Sequence, residues 1–241
     1  MENIIINRII RAFLVACLFL SSFLTLAQST LNLHINGAIP LQDYGSSDVD
    51  DENAGLAGAG LGLGLMADIL IDEGPFSFNA GFDVILNGMS YSAKRNIEDT
   101  YGEAAVLYPR YWNIPFQLGG RFRLYEGESR KVYINASGLF SMFYRSDMEI
   151  KGPMFFESYD TESYSTSASF GYNVGIGAEI SDRITLDLKY MSIRPYNIEV
   201  TTYVNGTPNL ETDQKKLKVD MVTFAVGYKF EIKNTRNFLV L

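Results

Sequence analysis

The sequence is poor in the residues that carry most enzyme and metal chemistry. Among 241 residues there is one cysteine, Cys17, one histidine, His34, and one tryptophan, Trp112. A single cysteine excludes a disulfide framework, and Cys17 lies in a stretch expected to leave on export, so the mature chain has no thiol chemistry. A single histidine leaves no zinc-ligand cluster, and no phosphate-binding glycine loop is present. Proline is scarce at 7 against 21 glycines, which suits strands that bend rather than a linker-rich chain. Basic residues are outnumbered, 20 to 28, for a net charge of −8. That balance argues against nucleic acid or another polyanion as partner.

What is abundant is the aromatics, with 15 Tyr and 16 Phe, and a strict alternation of character. The stretch Tyr111–Tyr125 shows it best. Its even positions are Trp112, Ile114, Phe116, Leu118, Gly120, Phe122 and Leu124. Between them stand Asn113, Pro115, Gln117, Gly119, Arg121 and Arg123. A period of two over that length is a strand with one greasy and one polar face.

Residues 1–27 read as a cleaved signal peptide. Arg8 and Arg11 precede the apolar run Ala12–Leu20, and the small residues Thr25 and Ala27 place cleavage after Ala27. The run is shorter than the ~20 apolar residues of a spanning helix. Residues 28–230 then form one domain, followed by a tail, 231–241. Seven further strands share the alternation, starting near Leu31, Leu61, Phe76, Val132, Phe170, Ile184 and Val222. Before Val222 the apolar phase shifts to Leu217, Val219 and Met221, which predicts a bulge near Met221. Gly58, Gly60, Gly62 and Gly64 share one face of the second strand, as expected where bulky side chains from elsewhere must fit or where the sheet curves sharply. The connections alternate long and short. The long ones, including Gly88–Tyr108, Arg145–Ser167 and Tyr196–Lys216, read as polar loops without a long amphipathic helix.

Which face points inward decides the fold class. The alternating connections are the pattern of an up-and-down barrel in an outer membrane. The polar faces carry four acids, Asp68, Asp83, Glu179 and Asp187, and four bases, Arg121, Arg123, Lys189 and Lys229. Such a balance is expected inside an eight-stranded barrel, whose lumen side chains just fill. Asp187 and Lys189, two apart on one face, are expected to pair there. Aromatics near strand ends, Tyr108, Tyr111, Trp112, Tyr125, Tyr144, Tyr190, Tyr228 and Phe230, predict two interfacial girdles. The reading is therefore all-β: an eight-stranded antiparallel up-and-down transmembrane β-barrel, located in the outer membrane. The alternative is a soluble lipocalin-like barrel with the greasy face inside.

The whole mature chain resembles the small outer-membrane β-barrel family of Gram-negative bacteria, the group containing the OmpX-like and PorT-like barrels. Tyr111 followed by Ile114-Pro115-Phe116-Gln117-Leu118 is similar to the Tyr-x-x-Ile-Pro-Leu strand of the PorT-like branch. The Leu26-Ala27-Gln28 signal ending and the strand Gly227-Tyr228-Lys229-Phe230 are similar to the same group. Family members usually end at the last strand aromatic, whereas here Glu231–Leu241 continues. The resemblance implies outer-membrane lipid, lipopolysaccharide and the assembly machinery as partners, and a role in secretion for the PorT-like branch.

No catalytic residue, metal site or cofactor is expected. Lipid deacylases of such barrels carry His-x-Ser, whereas here Asn36 stands two after His34. Asp48, Asp50, Asp51 and Glu52 read as a solvated acidic loop, because no glycine has the spacing of a calcium loop. The first functional reading is a non-enzymatic barrel with a closed polar lumen and four long loops for surface interaction or envelope support. An extracellular or envelope protein could dock there, and Met154, Phe155, Phe156 and Tyr159 are an apolar cluster in one loop, which either contacts such a partner or, the favoured reading, extends the strands as a hairpin above the membrane. The second is an outer-membrane lipid-modifying enzyme, and the third a soluble ligand-binding barrel.

Overall fold

The computed structural model describes residues 29–49, 51, 53–70, 74–101, 105–127, 129–151, 159–181, 183–204 and 207–232. In chain order these form β1 (Ser29–Leu41), α1 (Gln42–Gly45), β2 (Ala57–Leu70), β3 (Phe76–Met89), α2 (Tyr91–Tyr101) and β4 (Ala105–Leu107). Then follow β5 (Arg110–Glu126), β6 (Arg130–Arg145), β7 (Met148–Lys151), β8 (Tyr159–Tyr164), β9 (Ser167–Ile180), β10 (Ile184–Val204) and β11 (Thr207–Ile232). The expected signal peptide, the tail beyond Ile232, Asp50, Glu52, Asn205, Gly206 and the cluster at Met154–Phe156 lie outside the described residues.

Eight strands close a ring in the order β1-β2-β3-β5-β6-β9-β10-β11, every neighbour antiparallel. The ring shuts where β1 pairs β11, from Ser29 opposite Ile232 to Leu41 opposite Asp220. The greasy face is outside. Leu61 and Leu118 are 71% and 70% exposed, and Leu33, Ile35, Phe140, Phe170 and Phe224 stand out with them. The interleaved Asn32, His34, Asp83 and Gln117 are buried, and Asp68 and Arg121 are 4% and 5% exposed. This inversion belongs to a barrel surrounded by hydrocarbon, since in water the belt would be an aggregation surface. It rules out the lipocalin-like arrangement. From Trp112 to Leu124 the strand climbs about 40 Å at ~3.3 Å per residue. At a tilt of about 45° that matches the ~30 Å of a hydrocarbon core.

All long connections leave from one end, and they are more structured than their polar composition predicts. The Gly88–Tyr108 segment holds α2, whose Ala93 and Ile97, four apart and so on one face, are buried. The Arg145–Ser167 segment holds β7 and β8, a hairpin continued by β4, and β8 pairs the upper part of β10 from Val200 to Val204. The Tyr196–Lys216 segment is no loop, because β10 and β11 run through it as a paired ribbon.

The bulge expected near Met221 is absent from β11. Its odd positions point inward throughout, from Leu217, Val219 and Met221 to Thr223, Ala225 and Gly227. The irregularity lies on the facing strand, where Ile193 to Tyr196 in β10 opposes Val219 to Leu217. The Arg194-Pro195 step takes up the extra residue, so Ile193, Tyr196 and Ile198 all face inward. What changes along β11 is the chemistry of its inner face.

The girdle assignment needs one correction. Tyr125 and Phe230 are exposed near the short-turn end, where Tyr228 meets Phe230 edge-on at 4.8 Å. Trp112 sits opposite Tyr144 toward the long-loop end. Tyr190 is half-buried, and its hydroxyl donates to Asp220 (3.1 Å). Tyr111, by contrast, is fully buried inside the barrel against Tyr44 and Phe143. It occupies an odd position of β5, and odd positions there face the lumen.

Candidate functional site: the filled lumen

The polar faces meet in the lumen as layers. In the layer nearest the short turns Arg121 is the hub. Its Nη1 donates to Asp68 Oδ2 at 2.9 Å and to Glu179 Oε1 at 3.5 Å, and its guanidinium lies over the Tyr133 ring at 3.8 Å. Lys229 Nζ donates to the other Glu179 oxygen at 2.6 Å. One guanidinium and one ammonium thus hold two carboxylates that would otherwise be buried charges without partners.

Asp187 does not pair with Lys189. It accepts from the Tyr133 hydroxyl at 3.0 Å and from Asn135 Nδ2 at 3.3 Å. Lys189 is buried across from Gly175, without an ion-pair partner among the described residues. Arg123, one step below Arg121 on the same face, stands at the rim. It donates to Glu126 (2.7 Å) and to the Gly74 carbonyl (3.1 Å), so its charge is not spent on the lumen acids. The Arg123 bond holds the exposed Glu126 carboxyl below its ordinary range.

The next layer is built of amides around Asp83. One oxygen, Oδ1, accepts from Asn36 Nδ2 (2.8 Å) and lies 2.7 Å from His34 Nε2, while Oδ2 accepts from Gln117 Nε2 (2.9 Å). Gln117 in turn accepts from Asn173 (2.9 Å). The glycines of β2 make room for this cluster. A Cβ on Gly64 would collide with Asp83 Oδ1, and one on Gly62 with Asn36 Oδ1. The substitution of Asn36 for a serine two after His34 thus has a structural role as well. His34 and Asp83 form a buried pair closed over by amides, with Asn36 bonded to the same carboxylate.

Pro115 borders this layer. It pairs with Ser141 on the β6 side, but the β3–β5 ladder skips from Phe82–Phe116 to Ile85–Asn113. A proline nitrogen has no hydrogen to donate, so a gap opposite Asp83 and Val84 is the expected result.

Above the amides the inner face turns apolar. α1 folds into the barrel mouth and puts Tyr44 on the axis, fully buried. Its hydroxyl accepts from Asn113 Nδ2 (2.8 Å) and donates to Asn87 Oδ1 (3.3 Å), which are the last polar groups before the change. Tyr44 also packs edge-on against Phe143 (6.5 Å), and Phe143 stacks on Tyr196 at 5.0 Å. Met89, Met191, Met221, Ile193, Leu217 and Val219 fill the rest, with Ala93 and Ile97 of α2 as the cover. Gly55 lets the returning chain press onto α1, where its N–H donates to Asp43 O at 2.7 Å. A Cβ on Gly55 would be 2.5 Å from Tyr44 O. This plug was not foreseen from the sequence. The apolar odd positions of β11 from Leu217 to Met221 were its signal.

Beyond the plug, Tyr108 donates to Glu98 of α2 (2.6 Å), and burial together with that bond pushes its phenol up to about 12. Arg145 lies near the rings of Tyr111 and Tyr164. Among the described residues no group of three or more His, Cys, Asp or Glu could hold a metal ion, and no helix is long and apolar enough to cross a membrane.

A family model described as the outer membrane protein beta-barrel domain matches residues 13–230. Comparison with curated proteins gives no match. Among solved structures, a major outer membrane protein from Thermus thermophilus is similar at 10% identity and a TM-score of 0.50, over 85% of this chain and 99% of that one. OprG from Pseudomonas aeruginosa is similar at 10% identity and 0.48, over 86% and 97%. The outer membrane protease OmpT from Escherichia coli is similar at 10% identity and 0.47, over 85% and 97%. At such identity the likeness to the Thermus thermophilus protein speaks for the fold alone.

Proposed function

We propose a reading whose premise is plain: the chain belongs to the outer membrane protein beta-barrel domain family. On that premise it is a non-enzymatic integral barrel of the outer membrane. Its interior supports the wall, and its long connections act at the cell surface. The observation that carries this is a lumen filled twice over, by the Arg121 and Asp83 networks below and by the Tyr44 plug above. Eight strands leave room for side chains but not for an open channel.

Outer-membrane lipid and lipopolysaccharide meet the greasy belt, and the assembly machinery inserts the chain. Function at the surface then falls to α2 and the β4-β7-β8 extension, carried on a rigid ring as binding loops commonly are. Their partner is an extracellular or envelope protein. The PorT-like resemblance adds support of protein secretion as the process served.

Planar-bilayer recording of the purified, heat-modifiable protein tests the closed lumen. No stable conductance steps are expected, and persistent open-channel currents would overturn the reading. A deletion strain should keep its lipid A profile, and an altered acyl pattern would instead favour the lipid-modifying alternative.

A further inference from the structure

A pocket of about 300 Å³ opens at the mouth above the plug, lined by Leu56, Ile97, Met148, Arg145, Tyr164 and Glu162 among others. Arg145 is 4% exposed. Its guanidinium Cζ lies 3.8 Å from the Tyr164 ring centroid and 5.3 Å from that of Tyr111. Its Nε is enclosed without a hydrogen-bond partner, and among the described residues no carboxylate lies within ion-pair distance of the group. The contrast with Arg121, which holds two carboxylates in the same barrel, is direct. Ring contacts return less than a buried cation requires. The Tyr111 hydroxyl is also buried without a partner.

We propose that this pocket binds a small carboxylic acid with an apolar body, as its monoanion. A planar carboxylate fits a guanidinium by two parallel N–H···O bonds, and Arg145 presents one to the pocket. Leu56, Ile97 and Met148 offer the body an apolar wall, and the volume, at the low end for ligand pockets, keeps it small. Glu162, held by the Tyr164 hydroxyl, and Asp51 set two carboxylates on the lining against the two cations Arg145 and Lys215, so no excess of positive charge invites a second carboxylate. Lys215 steadies the wall by donating to Ala54 O at 2.8 Å. This ligand site is additional to the surface role above and does not depend on whether the lumen conducts.

Isothermal titration of the full-length barrel in detergent tests it with 4-methylpentanoate, the neutral 4-methylpentanamide and the dianion 2-methylsuccinate. The monoanion is expected to bind, and the amide and the dianion to bind about tenfold or more weakly, the loss of a charged hydrogen bond. Arg145→Met should remove the same factor. Val49→Trp, from a rim position that is 40% exposed, should fill the pocket and abolish binding while heat-modifiable migration is retained. The proposal is overturned if the monoanion does not bind, if the amide or the dianion binds equally well, or if the folded Val49→Trp protein keeps its affinity.

Discussion

The two halves of the lumen solve one problem in opposite ways. Both are lined by the inward positions of the same eight strands, and both must fill a tube with no solvent to spare. The half near the short turns uses charges and amides, tied from Asp68 through Arg121 to Glu179 and Lys229. The half near the long loops uses rings and methionines, with Tyr44 brought in from outside the strands. The first is specified by pairs, so each loss strands a partner. The second is specified by volume, so losses can be absorbed by repacking. Tyr44 marks the border, apolar on its ring and polar at its hydroxyl.

Arg121→Met probes that difference hardest. It should cost about 3–5 kcal/mol by leaving Asp68 and Glu179 buried without their cation. The measurement is the urea midpoint of the heat-modifiable band in lipid vesicles. An Arg121→Met protein as stable as the wild type would break the comparison. Gly64→Ala comes next, at about 1–3 kcal/mol, because the new methyl displaces Asp83 or His34. The same assay reads it, and the sign is informative, since alanine otherwise suits a strand better than glycine. Tyr44→Phe should cost about 1 kcal/mol, leaving Asn113 and Asn87 without the hydroxyl while the plug keeps its volume. A loss as large as that of Arg121→Met would mean that the plug is also specified by pairs.

The smallest effect lies at the rim. The Glu126 carboxyl is held low by Arg123, so its stabilisation is present above the ordinary carboxylate range and fades as pH falls through the lowered value. Glu126→Gln should therefore lower the melting temperature slightly at pH 7 and not at all at pH 2. The exposed pair is worth little in any case.

Much of this interior was legible in the chain, because a period of two assigns every residue to a face. Asp68, Asp83, Arg121, Glu179, Asp187, Lys189 and Lys229 were placed inward by that rule, and the structure buries the first six and leaves Lys229 half-buried. The rule does not give height along the barrel, so it could not say that Arg123 stands at the rim, or that Asp187 answers to Tyr133 rather than to Lys189. Nor does it judge character. Tyr111 has the phase of a lumen residue, yet its ring invited an interfacial reading. α2 was hidden because, from Tyr91 to Asp99, only Ala93 and Ile97 are buried and apolar, too short a stripe to stand out among Lys94, Arg95, Glu98 and Asp99. The shift on β10 was misplaced onto β11 because the altered inner face of Leu217–Met221 mimics a change of phase.

The seam between β1 and β11 sets the order of folding. It joins the first described strand to the last, so the most distant partners in sequence must meet before the ring exists. Contacts of such separation are slow to form. Two lumen bonds complete with the same event: Asn32 of β1 donates to Thr185 of β10, and Lys229 of β11 donates to Glu179 of β9. They latch the wall once it has closed, over the Asp68–Arg121 and Asp83–Gln117 bonds, which join β2, β3 and β5 alone.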